Sequence, residues 1–189
     1  PDHPGGRGSR TLAAVAYGQP RSQGSPAGNL LPYRSAMITS FDDYPLHPGS
    51  RPINETSTAD LNHYDRYFFN GYTRDGALFL AGAMGQYPNR GVVDAAFNVV
   101  HRGRQYVVRA SRRLGDERMD TRVGPIRVEV IEPLRRLRLV VEPNQWELSA
   151  DLTFTARAGV IEEPRFHRAH QGQVYMDSTR LTQHVAIGG

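Results

Sequence analysis

Asp65 is the acidic residue of this sequence with the most aromatic neighbours. It belongs to the segment YDRYFFNGY, residues 64–72, where strand alternation would place it on one face with Tyr67 and Phe69. A carboxylic acid buried among apolar side chains resists ionisation, and aromatic faces attract developing positive charge. Asp65 is therefore our candidate catalytic residue, a general acid that protonates carbon. The alternative is an ion pair between Asp65 and Arg66 or another arginine at the rim.

A second group of side chains has the types expected in a ligand pocket. Tyrosines and phenylalanines offer apolar surface and, for tyrosine, a hydroxyl for a polar end of the ligand, while the arginine would hold a carboxylate. The alternatives are core or rim aromatic residues, a plain turn at Pro88–Gly91, and a buried structural hydrogen bond for the aspartate, which shares a face with Asn98. The candidate ligand-binding residues are Tyr64, Tyr67, Phe69, Tyr72, Tyr87, Arg90 and Asp94.

Several other kinds of site find no support. His167 and His170 are three residues apart, but no third ligand is evident and we predict no metal site. The chain contains no cysteine, which excludes disulfides, thiolate metal sites and a cysteine nucleophile. No nucleophile elbow, glycine-rich phosphate loop or paired-carboxylate motif is present. We expect neither hydrolase nor nucleotide chemistry, and no cofactor.

The basic charge is concentrated at the start of the chain. The formal net charge is +4 and the isoelectric point about 9.7, yet residues 37–189 hold 19 arginines against 18 acidic residues. Alternating charges of this kind do not predict a nucleic-acid partner. No apolar run approaches the ~18 residues that a membrane span needs, so we expect a soluble, cytoplasmic protein without an integral membrane segment.

Residues 1–36 differ in composition from the remainder. They contain six glycines, five prolines and four serines with little apolar periodicity, which is typical of disorder. Met37 directly precedes the first patterned segment. We expect a disordered or non-native tail over 1–36, a natural start at Met37 and one domain over 37–189.

From residue 64 onward the apolar period is close to two, which favours strands over helices. Short connections predict antiparallel neighbours, and closing such strands into a barrel would leave room for one small ligand. The fold class is therefore mostly β with little helix: an antiparallel barrel of about eight strands, with a β-sandwich as the alternative. The predicted strands are 64–72, 77–84, 92–101, 104–113, 126–132, 134–142, 148–158 and 172–183.

Six segments in order carry a family resemblance. They are FDDYPLH (41–47), YDRYFFNGY (64–72), GQYPNRGVVDAAFNVV (85–100), DTRVGPIRVEVIEPLRRLRL (120–139), ADLTFTAR (150–157) and TRLTQ (179–183). Together they resemble a largely actinobacterial branch of the lipocalin-like superfamily that includes AttH and carotenoid 1,2-hydratase (hydroxyneurosporene synthase). The resemblance implies a lipocalin-like, calycin-type barrel.

The resemblance also implies a protein of two lipocalin-like halves that hold an apolar small molecule such as an isoprenoid, carotenoid or sterol. We expect the chain to be the first half, with a missing C-terminal half as its partner and a weak homodimer as a further outcome. Two functions stay open. The full-length form would be a hydratase, isomerase or cyclase, with this half inactive alone, or the protein would be a non-catalytic carrier of hydrophobic ligands.

Overall fold

The computed structural model describes residues 12–13, 40–44, 56 and 58–189. This part is mostly β, with antiparallel strands and two 3₁₀ turns, Ser40–Asp43 and Pro88–Arg90, which confirms the predicted class. None of its helical segments is long and apolar enough to cross a membrane. The strands are β1 (Leu12–Ala13), β2 (Asp65–Tyr72), β3 (Leu78–Tyr87), β4 (Val92–His101), β5 (Arg104–Arg113), β6 (Arg122–Val123), β7 (Ile126–Glu132), β8 (Arg136–Val141), β9 (Ala150–Ala156), β10 (Ile161–Glu162), β11 (Phe166–His170), β12 (Gln173–Ser178), β13 (Leu181–Thr182) and β14 (Val185–Gly188).

The alternation of apolar and polar residues correctly predicted the bounds of three strands. The predicted ranges 92–101, 104–113 and 126–132 coincide with β4, β5 and β7. The turn between β4 and β5 has positive φ at both Arg102 (50°) and Gly103 (72°), as a two-residue hairpin whose twist matches the strands requires. The predicted hairpin is confirmed.

Shorter strands were missed or merged. The predicted strand 172–183 is divided into β12 and β13, and β1, β6, β10, β11 and β14 were not predicted. Strands of two residues are too short to show a period, and β11 is largely exposed, so it has no apolar face to reveal it. Of the predicted disordered tail, only Leu12–Ala13 fall within the described residues, where they form β1; the other residues of 1–36 lie outside them.

One sheet of ten strands dominates the molecule, in the order β5-β4-β3-β2-β1-β14-β9-β8-β7-β6. The two residues of β1 join its halves, because Ala13 pairs with Tyr72 of β2 and Leu12 with Ile187 of β14. We call β2–β5 the front half, and β6–β9 with β14 the back half. The hairpin β11–β12 and the pair β10–β13 are separate small sheets.

The core lies between the two halves and is filled by their own side chains. Buried phenylalanines meet across it, with the ring centroids of Phe69 and Phe154 4.6 Å apart. The layers approach so closely at Gly82 that a Cβ there would lie 2.6 Å from Cδ2 of Leu139. This close approach leaves no space for a bound molecule at that level of the interior.

The two end strands, β5 and β6, lie beside each other without pairing. Among the described residues no backbone ladder joins them, so the strand pairing is that of an open sheet. Arg112 bridges the gap instead, because its Nε donates to the carbonyl of Arg122 at 2.7 Å and its Nη2 to the carbonyl of Asp120 at 2.6 Å. A single side chain thus links the ends where a closed barrel would have a ladder.

Candidate functional site

Asp65 lies at the inner side of β2, as alternation predicts, in a cluster of three polar residues. Its side chain is 17 % exposed, and in the sheet register it is paired with Gln86. Arg118 enters from the β5–β6 connection and brings its Nη2 to 3.6 Å from Oδ2 of Asp65. The arginine Nε donates to Oε1 of Gln86 at 3.1 Å, and Nε2 of Gln86 donates to the Arg118 carbonyl at 2.6 Å. We call Asp65, Gln86 and Arg118 the inner polar cluster.

The surroundings of Asp65 are those of an ion pair with a buried arginine. Arg118 is only 3 % exposed; burial lowers the pKa of its guanidinium, and the negative charge of Asp65 raises it. Arginine remains charged in proteins, so the Asp65 carboxyl faces a fixed cation at 3.6 Å. An ion pair with another arginine was the alternative set out from the sequence, but it was expected at the rim, whereas Arg118 is buried.

Tyr67 and Phe69 follow Asp65 on the same inner side and belong to the core. The Tyr67 hydroxyl donates to the carbonyl of Asp43 at 2.5 Å. Burial first, and then the nearby carboxylates of Asp65 and Asp43, raise the pKa of Tyr67, which keeps it neutral. The rings of Tyr67 and Phe69 stack with centroids 6.1 Å apart. Their surroundings match the core alternative rather than an open ligand pocket.

The opposite side of the same strands presents aromatic residues to solvent. Phe68 is 60 % exposed, Phe79 41 % and Tyr72 39 %. Small residues adjoin them, since Phe68 is in register with Ala83 and, one strand further, Ala96. We call this surface the aromatic face; its large residues are Tyr64, Arg66, Phe68, Tyr72, Phe79 and Tyr87, and its small residues are Ala81, Ala83, Gly85 and Ala96.

One end of the aromatic face is polar. The Arg66 guanidinium lies 5.2 Å from the ring centroid of Tyr64 and 5.8 Å from that of Phe68, within cation–π range. The Tyr87 ring covers Gly85 so closely that a Cβ there would be 2.9 Å from the ring and the hydroxyl. Burial first, and then Asp94, raise the pKa of Tyr87, while Arg66 opposes the shift. A neutral phenol therefore stands close to a cation and a carboxylate.

Two further predicted ligand residues are placed at or beside this end. Asp94 is exposed on the outer side of β4, so the interpretation as a buried structural hydrogen bond is wrong; this side of the strand faces solvent. Arg90 ends the Pro88–Arg90 turn and donates from Nε to the carbonyl of Leu61 at 2.7 Å. Its main contact is with the segment that leads into β2.

The two histidines considered from the sequence are exposed on β11. Nδ1 of His167 lies 3.7 Å from Oδ2 of Asp177 across the hairpin, and His170 is paired with Gln173. In the described part of the chain, no cluster of three or more histidine or acidic side chains could hold a metal ion.

A protein-family model described as a family of unknown function, DUF8625, matches residues 38–189. The chain belongs to this family. Searches of the curated proteins and of the solved structures each gave no match.

The inner polar cluster and the exposed rings of this DUF8625 chain were only partly predictable. Gln86 continues the inward alternation of β3 and could have been identified, since Leu80 and Met84 precede it on that side. Arg118 gave no signal, because it is in an irregular connection and meets its partners 32 or more positions away. Phe68 was overlooked because aromatic residues occur on both sides of β2, so the sequence does not reveal which side faces solvent; Phe79 is its exposed neighbour on β3.

Proposed function

We propose that this protein is a non-catalytic binding module for an apolar small molecule, and that the molecule lies on the aromatic face. The observation that carries the proposal is the exposure of Phe68, Tyr72 and Phe79 on one side of the front half. A contiguous exposed apolar surface with a polar rim is typical of an interaction site. Five of the eight predicted site residues lie on or beside this surface.

The energetics favour a ligand with an extended apolar body. Covering a fully exposed phenylalanine contributes about 1.5–3 kcal/mol, so covering three rings that are 39–60 % exposed contributes a substantial part of micromolar binding. The small residues Ala81, Ala83 and Ala96 lie beside the rings along β3 and β4, where we expect their short side chains to leave a shallow trough. An isoprenoid chain or a sterol ring system has the shape for such a trough.

The polar end gives the ligand an orientation. Arg66, Tyr87 and Asp94 supply a cation, a neutral hydroxyl and a carboxylate within one small area. A hydroxyl or carboxylate at one end of the ligand would be bonded there, while its apolar body lies along the rings. This is the ligand chemistry that the lipocalin-like resemblance implies, and a calycin-type barrel remains part of the proposal.

Binding is preferred to catalysis because of the inner polar cluster. Carbon protonation needs a neutral carboxylic acid that faces the substrate. Asp65 instead faces Arg118 at 3.6 Å inside a filled core. A hydratase-type reaction would require this ion pair to separate, so we place the function in ligand binding.

The experiment is native mass spectrometry of the purified chain, first for any co-purified molecule and then with added geranylgeraniol as the isoprenoid probe. Phe68→Ser should abolish the bound species. Ile131→Ser is the matched control, since Ile131 is 48 % exposed at the end of β7 in the back half, and it should leave binding unchanged. Equal binding by both variants, or none by the parent chain, would refute the proposal.

A further inference from the structure

The aromatic face is one wall of a binding site rather than a complete site. Ligand sites are concave and bury most of the ligand surface, whereas the four strands of the front half form an open sheet surface whose rings project to solvent. A second wall is needed to cover the other side of the ligand. We infer that a second copy of this chain supplies it, with the two aromatic faces packed against each other; this inference rests on the proposed function.

The register of β2, β3 and β4 makes the face complementary to itself. Consider a two-fold axis that lies between the two faces and runs parallel to β3. It places β2 of one copy over β4 of the other. Each row of residues paired across β2, β3 and β4 then faces the same row of the second copy, read in the opposite direction. The rows follow from the observed pairings Arg66–Gly85–Asp94, Phe68–Ala83–Ala96, Asn70–Ala81–Asn98 and Tyr72–Phe79–Val100.

Charge is complementary in this arrangement. Arg66 on β2 of one copy faces Asp94 on β4 of the other, and the two-fold axis repeats the pair. Within one chain these residues are two strands apart, with Gly85 between them, a separation of about 10 Å. Arg66 and Asp94 are therefore too far apart to pair within one chain, whereas in the paired copies they point towards each other; Arg109 and Arg113 of β5 flank Asp94 on its own chain.

Side-chain size is complementary as well. Phe68, the most exposed ring, falls over Ala96 of the second copy, and Tyr72 falls over Val100. Larger residues thus meet smaller ones on both sides of the axis, whereas on the axis itself Phe79 and Tyr87 of β3 each meet the same residue of the second copy. Asn70 meets Asn98, and two amides can donate to and accept from each other.

The middle of the paired faces stays partly open. Along the axis, Ala81 and Ala83 of β3 meet the same residues of the second copy, and their short side chains cannot fill the distance of about 10 Å that separates packed sheets. A slot remains along β3, flanked by Phe68, with Phe79 towards one end and Tyr87 towards the other. An extended apolar chain with one polar end fits this slot, and neither copy encloses it alone.

The area of the face predicts a weak pair. The three overlapping strands, about 4.8 Å apart and eight residues of about 3.3 Å each, give roughly 380 Å² of planar surface. Partners that bury less than about 600 Å² each form weak or transient complexes. The pair should therefore dissociate on dilution, and a ligand in the slot should strengthen it.

The test is sedimentation analysis of the 189-residue chain over the micromolar range, with and without geranylgeraniol, combined with charge exchange. Arg66→Asp and Asp94→Arg should each weaken the dimer at least about tenfold, because each places like charges opposite each other twice. The double variant R66D/D94R should restore it, since the pair is re-formed with its signs exchanged. Arg135→Asp, at a turn of the back half where Arg135 is 77 % exposed, is the matched control.

The outcomes separate this inference from the proposed function. A dimer that follows the charge exchange and binds one ligand per two chains supports both. A chain that stays monomeric, or a dimer indifferent to the exchange, overturns the inference, and ligand binding by such a monomer leaves the proposed function intact. A dimer that is restored in the double variant, together with a parent chain that binds no ligand, supports the pairing and removes the proposed function.

Discussion

The outer surfaces of the two halves of the sheet differ in composition: one exposes aromatic side chains and the other exposes paired charges. The aromatic face of the front half exposes Phe68, Tyr72 and Phe79. The back half instead carries six alternating charges joined by contacts of 2.6–3.1 Å, which we call the charged face: Arg122, Glu142, Arg127, Glu129, Arg138 and Asp151. Its one central apolar residue, Val140, is only 7 % exposed.

The two outer surfaces differ in how well their side chains suit contact with water. An antiparallel sheet with one solvated side normally alternates apolar and polar residues, and the back half follows this rule. The front half departs from it on its outer side, although both halves share one core. The charged face is therefore readily hydrated, whereas the aromatic face exposes apolar area that a bound molecule would cover.

The largest expected effect on the free energy of unfolding distinguishes the buried side of β2 from its exposed side. Phe69→Ala should lower the free energy of unfolding by about 3–5 kcal/mol, because Phe69 packs on Phe154 in the core. Phe68→Ala, one residue away on the aromatic face, should change it by less than about 0.5 kcal/mol. Urea unfolding of the two variants measures this contrast, and equal losses would mean that Phe68 is packed in the folded chain.

An intermediate effect compares a buried ion pair with an exposed one. Arg118→Met should cost about 3 kcal/mol, because it leaves Asp65 without its cation inside the core. Arg122→Met on the charged face should cost less than about 1 kcal/mol, since the Arg122 side chain is 55 % exposed. Thermal and urea unfolding report both values.

A second substitution checks the reason for that difference. Adding Asp65→Asn to Arg118→Met should recover part of the loss, because it removes the negative charge that Arg118 no longer faces. No recovery would show that packing of the Arg118 side chain, rather than its charge, stabilises the inner polar cluster.

The smallest effect is a pH dependence that belongs to the charged face. Hydrogen bonds from Arg127 to Glu129 and from Arg138 to Asp151 lower the pKa values of both carboxyls. Such groups stabilise the fold above their unfolded pKa of about 4 and lose that contribution as pH falls through the lower folded value. Each is exposed enough that the loss should stay below about 1 kcal/mol.

Urea unfolding at a series of pH values from neutral to acid measures the contribution of these carboxyls to the free energy of unfolding. The double variant E129Q/D151N should show a shallower decline below about pH 4, while Phe68→Ser should follow the parent curve. A parent curve that is flat in acid would contradict the contribution of the charged face.

Sequence patterning predicted most of the local structure. The period of two gave β4, β5 and β7 their bounds, and the Arg102–Gly103 turn could be identified from local chemistry. The alternation in β9 also predicted its inner and outer sides, because apolar and polar residues alternate there without exception. These features depend on neighbours a few positions apart, which the sequence displays directly.

The candidate site was harder to predict for a physical reason. Arg66 to Gly71 offers aromatic residues on both sides of β2, so periodicity cannot tell the buried side from the exposed one. Asp65 forms its ion pair with Arg118, and the Tyr67 hydroxyl donates its hydrogen bond to the carbonyl of Asp43. No local rule links such distant positions.

The sequence by itself determined that this chain forms antiparallel strands with tight turns, because strand propensity and turn chemistry are local. Only the tertiary structure decided which rings are covered, since burial depends on how the two halves pack. The tertiary structure places Asp65 in an ion pair with Arg118 and leaves Phe68 exposed at the surface. The contrast between the aromatic and charged faces exists only once ten strands share a sheet and one core.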